Sequence, residues 1–169
     1  MSDRPSASSD FADPLVRRLA TFIREIGLPI EAAVLDGSEL LAGITVKDGR
    51  ILLDEARLAH PGDLLHEAGH LAVCDPALRS SLSAVGEDGG EEMAAMAWSY
   101  AAAVHLGVDP RLVFHDDGYR GGAALYLETY ERGGSIGQPL LQWFGMTLTP
   151  ESAAVDAGKP FPHMRRWLR

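Results

Sequence analysis

Hydrophobic positions in this chain change period several times, and the changes divide it into elements. Leu15, Leu19, Phe22, Ile23 and Ile26 recur at helical spacing after Asp13-Pro14, an N-cap followed by proline at the first helical position. Gly27 and Pro29 end that helix, and Arg17, Arg18, Arg24 and Glu25 supply its polar face. Short apolar runs follow. Ile30 to Leu35 reads as a strand stopped by Asp36-Gly37, and Leu40 to Val46 as a second, bent at Gly43. Asp48-Gly49, set between Ile44-Thr45-Val46 and Ile51-Leu52-Leu53, predicts a hairpin. A mostly apolar segment, Asp63 to Val73, predicts a buried or half-buried helix that Asp75-Pro76 keeps short.

Residues 76–90 read as loop with one helical turn, Ala77 to Leu82, and with a mobile Ser- and Gly-rich stretch. Glu91 to Leu106 is Ala-rich and nearly uncharged after its start, which predicts a central, closely packed helix. Beyond it the pattern predicts a loop over Phe114 to Gly122 and helices over Ala123–Arg132 and Gln138–Phe144. A last helix is predicted after a Thr149 cap, and Phe161, Met164, Trp167 and Leu168 are expected to pack against the body. Trp98, Met93, Met96, Trp143 and Phe144 are expected to be packing residues. The fold class expected is α+β: a small antiparallel or mixed sheet on a helix pair, with further C-terminal helices. Residues 1–12 read as a flexible tail and 13–169 as one domain.

Inside the buried helix stands His66-Glu67-Ala68-Gly69-His70, an H-E-x-x-H pattern. Residues i and i+4 stack on one helix face, so both imidazoles can share one zinc ion while Glu67 reaches the water beside it. Two histidines leave a catalytic zinc one protein ligand short. Cys74, Asp88, Glu91, Glu92, His105 and His115 are the candidates. Cys74 is about 12 Å of helix rise from His66, too far to share an ion, and reads as a small buried hydrophobe. Glu91 and Glu92 open an otherwise apolar helix, and the residues alone leave both open.

An H-E-x-x-H helix followed 20 to 25 residues later by a glutamate on a second helix resembles the gluzincin branch of zinc metallopeptidases. Ile51-Leu52-Leu53-Asp54 with Asp63 to His70 resembles the small ImmA/IrrE-type peptidase domain, over roughly residues 30–106. The resemblance implies Zn²⁺ as cofactor, His66, His70 and Glu92 as ligands, and Glu67 as general base. Met93 and Ala94 stand where that pattern has a small and a polar residue. Residues 107–169 match nothing in it, and the helix-turn-helix domain of some relatives is absent.

For hydrolysis, a developing oxyanion needs a further donor. His115, Tyr119, Tyr126, Tyr130 and His163 are available, with His115 and Tyr119 favoured on their Gly-rich loop. Asp54, Asp88, Asp116 and Asp117 are candidates to orient the ligand histidines.

Composition narrows the partners. A net charge of −9 with no basic block before Arg165-Arg166-Trp167-Leu168-Arg169 argues against nucleic acid. No apolar run reaches membrane-spanning length, no signal pattern opens the chain, and Cys74 is the single cysteine, so a cytoplasmic protein is expected. The substrate expected is a peptide or protein, with a homodimer or a specific partner completing a shallow cleft. The alternatives are a zinc-binding regulatory or toxin–immunity component without proteolysis, and an α+β domain whose histidines are structural.

Overall fold

The computed structural model describes residues 10–83, 89–118 and 121–169. Helix α1, Pro14–Glu25, begins where Asp13 Oδ1 accepts from the backbone N–H of Leu15 and Val16. It buries Val16, Leu19, Ala20, Phe22 and Ile23 against the next helix and the first strand. The expected tail proves shorter at its inner end. Phe11 is buried, Asp10 pairs with Arg24, and the Ala12 and Asp13 N–H groups donate to the Glu55 carboxylate.

Three strands follow: β1 Ile30–Ala32, β2 Ile44–Lys47 and β3 Arg50–Leu53, in the order β1-β3-β2. β1 runs parallel to β3, with Ile30 opposite Ile51, and β2 runs antiparallel to it, with Val46 opposite Ile51. The Asp48-Gly49 turn carries φ of 47° and 72°, the doubly left-handed geometry that suits the twist of a two-residue hairpin. Both expected strands are shorter than their apolar runs. The Leu35 N–H leaves the sheet for Asp54 Oδ2, and Gly43, at φ 79°, bends the chain just before β2.

Helix α2, Asp63–Val73, is almost wholly buried and ends at Cys74, whose backbone turns extended before Asp75-Pro76. Helix α3, Gly89–Leu106, lies antiparallel to it. Glu92 meets His70, Ala95 meets Gly69, and Ser99 meets Leu65. A Cβ on Gly69 would stand 2.8 Å from Ala95 O, so only glycine allows this approach. The Ser99 hydroxyl, buried between the two helices, lies 2.6 Å from Ala95 O and 3.2 Å from Leu65 O. The run of buried alanines on α3 permits the same closeness along its length.

The layers therefore run from the sheet and α1, through α2, to α3 and the C-terminal helices. Those helices are α4 Ala123–Glu131, α5 Gln138–Trp143 and α6 Pro150–Asp156, the last capped by Thr149 as expected. Trp98 donates to Trp167 O and sits with Phe22 and Trp167 in one aromatic cluster, so the C-terminal segment packs as predicted. Trp143 does not: it is 85% exposed. Met93 is exposed as well, whereas Met96 and Trp98 are core. The fold is α+β with a small mixed sheet and C-terminal helices. Among the described residues no helix is long and apolar enough to cross a membrane.

Candidate metal centre

The central helix places His66, Glu67 and His70 on a cleft of about 710 Å³ bordered by β2, the loop before it and the loop at His115. His66 and His70 project together because four residues separate them on one helix. The first turn of α3 brings in Glu92. Its Oε1 lies 3.5 Å from His66 Nε2 and its Oε2 lies 3.0 Å from His70 Nε2. The two Nε2 atoms are 3.1 Å apart.

These separations test whether the group suits an ion. Donors bound tetrahedrally at zinc distances of 2.0–2.1 Å stand roughly 3.3–3.4 Å from one another. The observed 3.0–3.5 Å falls around that value. Protonation agrees. Burial, with His70 beside it, pushes His66 down to about 4, so the ring is neutral near pH 7 and its lone pair is available. The hydrogen bond with His70 holds the Glu92 carboxyl below its usual range, so it is ionised. The donor set fits a divalent metal of the zinc type.

Glu67 lines the same cleft but stands outside the donor group. Its burial raises it to about 7, with the Asp63 and Glu92 charges adding to the rise and His70 opposing it. A carboxyl poised there can take or give a proton near neutral pH.

Sequence reasoning missed the neighbouring group. Asp63, at the first turn of α2, holds His115 Nε2 at 2.9 Å. The His60 ring stacks on His115 at 3.7 Å and 11°, and its Nε2 pairs with Asp117 at 3.2 Å. His60, His115 and Asp117 offer donor atoms within 4.8 Å of one another. Their arrangement does not suit one ion. An imidazole lone pair lies in its ring plane, and an ion between two stacked rings would face neither. The sequence pointed to His115 as a ligand or oxyanion donor and to Asp117 as an orienting carboxylate, but it did not single out His60 or Asp63 beside them.

Of the other expected ligands, Glu91 lies one position away from the donor group that contains Glu92. Cys74 donates to Leu71 O at the end of α2. His105 packs between Phe22 and Trp167. Asp88 and Tyr119 lie outside the described residues, as do residues 86–88 of the stretch expected to be mobile; its last two residues, Gly89 and Gly90, instead form the start of α3.

Of the expected oxyanion donors, His115 reaches the cleft wall. Its Nε2 faces Asp63, and its Nδ1 is buried with no partner among the described residues. Tyr130 is corrected. Its hydroxyl donates to Ile136 O and its ring stacks on Tyr100, so it is a packing residue. His163 is corrected too, since it lines a separate hollow with Lys159, Phe161 and Trp167. Tyr126 is half-buried and does not line the cleft. Asp54 accepts from the Leu35 N–H and lies near Arg57, and Asp116 is exposed.

Comparison with protein-family models, with curated proteins and with solved structures gives no match to this chain.

Proposed function

We propose that the protein is a zinc-dependent metallopeptidase, resembling the ImmA/IrrE-type gluzincin domain, with His66, His70 and Glu92 as ligands and Glu67 as general base. One observation carries the reading: two imidazoles and a carboxylate from a second helix converge at zinc-like separations beside a buried, separate carboxyl. Bound there, the ion supplies Lewis acidity that polarises a carbonyl and acidifies water. Glu67 accepts the proton of the attacking water and returns it to the leaving amine. Among the expected oxyanion donors His115 is the one that lines the cleft wall, where its Nε2 is held by Asp63, and it is the candidate to meet negative charge on the substrate oxygen.

A polypeptide substrate is supported by the edge of β2. The Asp54 N–H donates to Gly43 O at 2.8 Å, which fixes the alternation of the β2–β3 ladder. Thr45 and Lys47 then turn their backbone groups toward β3, and Val46 turns its N–H and C=O outward. No described strand pairs on that side. An extended chain can add there and lie across the histidines. A cytoplasmic setting goes with this reading, since the chain uses a single, buried cysteine and no disulfide.

The test is Glu67→Gln. The variant should keep one zinc per chain and lose about 10²–10⁴-fold in peptide hydrolysis, the size of a general-base contribution. Undiminished hydrolysis by the variant, or no hydrolysis of a mixed peptide library by the zinc-loaded parent, contradicts the proposal.

A further inference from the structure

Leu40 lines the metal-bearing cleft and is 99% exposed. Leu41 and Ala42 continue the same wall into β2, where Ile44 and Val46 carry it inward. A fully exposed leucine forgoes the stabilisation that burial of such a side chain gives. Nor is the loop loose. Asp54 clamps both of its ends, accepting from the Leu35 N–H at 3.0 Å and donating its own N–H to Gly43 O at 2.8 Å. Between them Asp36 caps Ser38, through both its N–H and its hydroxyl. The exposed apolar rim is thus held in place before anything binds, which lowers the ordering cost of binding.

We infer that the rim of Leu40, Leu41 and Ala42 selects a large apolar side chain of the polypeptide substrate, close to the bond that is cut. The inference rests on the peptidase reading. The occupant follows from continuity: the rim, where Leu41 O accepts from the Ile44 N–H at 3.3 Å, leads to Val46, whose outward backbone groups an extended chain can pair with. Leu40, Leu41 and Ala42 line the same cleft as His66, Glu67 and His70, so the selected side chain lies near the cleaved bond.

Leu40 is suited to a clean test because its side chain supports no packing in the free protein. Cleavage of a proteome-derived peptide library by the zinc-loaded protein, read by mass spectrometry, should show Leu, Ile, Phe or Met enriched at one position near the cut. For a matched pair of peptides, apolar or Ser at that position, the ratio of kcat/KM should fall about tenfold in Leu40→Asn and survive in Leu40→Met. Melting temperature should not change in either variant. The same peptide pair is titrated onto zinc-loaded Glu67→Gln protein, with and without Leu40→Asn, to read binding apart from chemistry. Cleavage with selectivity unaltered by Leu40→Asn overturns this inference and leaves the peptidase reading standing. No cleavage, but apolar selectivity in binding that Leu40→Asn removes, overturns the peptidase reading and supports the rim. Absence of apolar selectivity in both measurements overturns the rim outright.

Discussion

Glu92 is the residue on which the proposed metal centre turns, because it alone comes from a second helix. His66 and His70 are brought together by α2 whatever the rest of the chain does. Glu92 reaches them only if α3 starts where it does, at Gly89. Its carboxylate contacts both rings, and Glu92 rather than Glu91 belongs to the donor group. Glu92→Gln is therefore expected to weaken zinc binding by more than about 100-fold, beyond the 10–100-fold that loss of an outer partner costs. Glu91→Gln should stay within a few-fold of the parent. Competition against a chromophoric chelator reads both, and the reverse ranking would move the third ligand to Glu91. The histidine pair and the nearby glutamates were visible in the sequence because four-residue spacing is a local property of helices. The Asp63–His115 pair was not, since 52 residues separate its partners and only the packed fold brings them together.

At the scale of elements, the contact of α2 with α3 sets the geometry of the site. Gly69 permits it, and a methyl group there meets Ala95 O at 2.8 Å. Gly69→Ala is expected to cost about 1–3 kcal/mol through overpacking, or roughly 2–12 °C in melting temperature for a chain of this size. It should also weaken zinc binding, because the same displacement draws Glu92 from the rings. Thermal unfolding with and without zinc separates the two effects; unchanged stability would show that the helices have room to spare. The helices themselves were readable from periodicity, caps and prolines: Asp13 and Thr149 cap where they were expected to. The strands were readable only in part. An apolar run does not reveal where pairing stops, and here it stops because Asp54 captures Leu35 and Gly43 turns left-handed. Trp143 was misjudged for a related reason: helical spacing gave no hint that its side of α5 faces solvent.

The whole molecule closes around α2 from its far end. Arg169 donates its N–H to Ala72 O, Arg79 reaches Leu71 O and Arg169 O, and the Arg169 guanidinium lies 3.9 Å over the Phe144 ring. The last carbonyls of the histidine-bearing helix thus gain donors, and positive charge sits at its negative end. Trp167, half-buried against Phe22 and Trp98, anchors this segment. Trp167→Ala is expected to cost about 2–3 kcal/mol, less than the 3–5 of a fully buried tryptophan. Denaturant unfolding checks it, and a cost below about 0.5 kcal/mol would mean that the segment is not part of the cooperative unit.

The central claim is that this chain carries one catalytic-type ion between α2 and α3. Crystals of zinc-loaded protein, measured on both sides of the zinc absorption edge, test it most directly. The account predicts a single anomalous peak within bonding distance of His66 Nε2, His70 Nε2 and a Glu92 oxygen. A peak at His60 and Asp117 instead, or none in protein soaked with excess zinc, would contradict it.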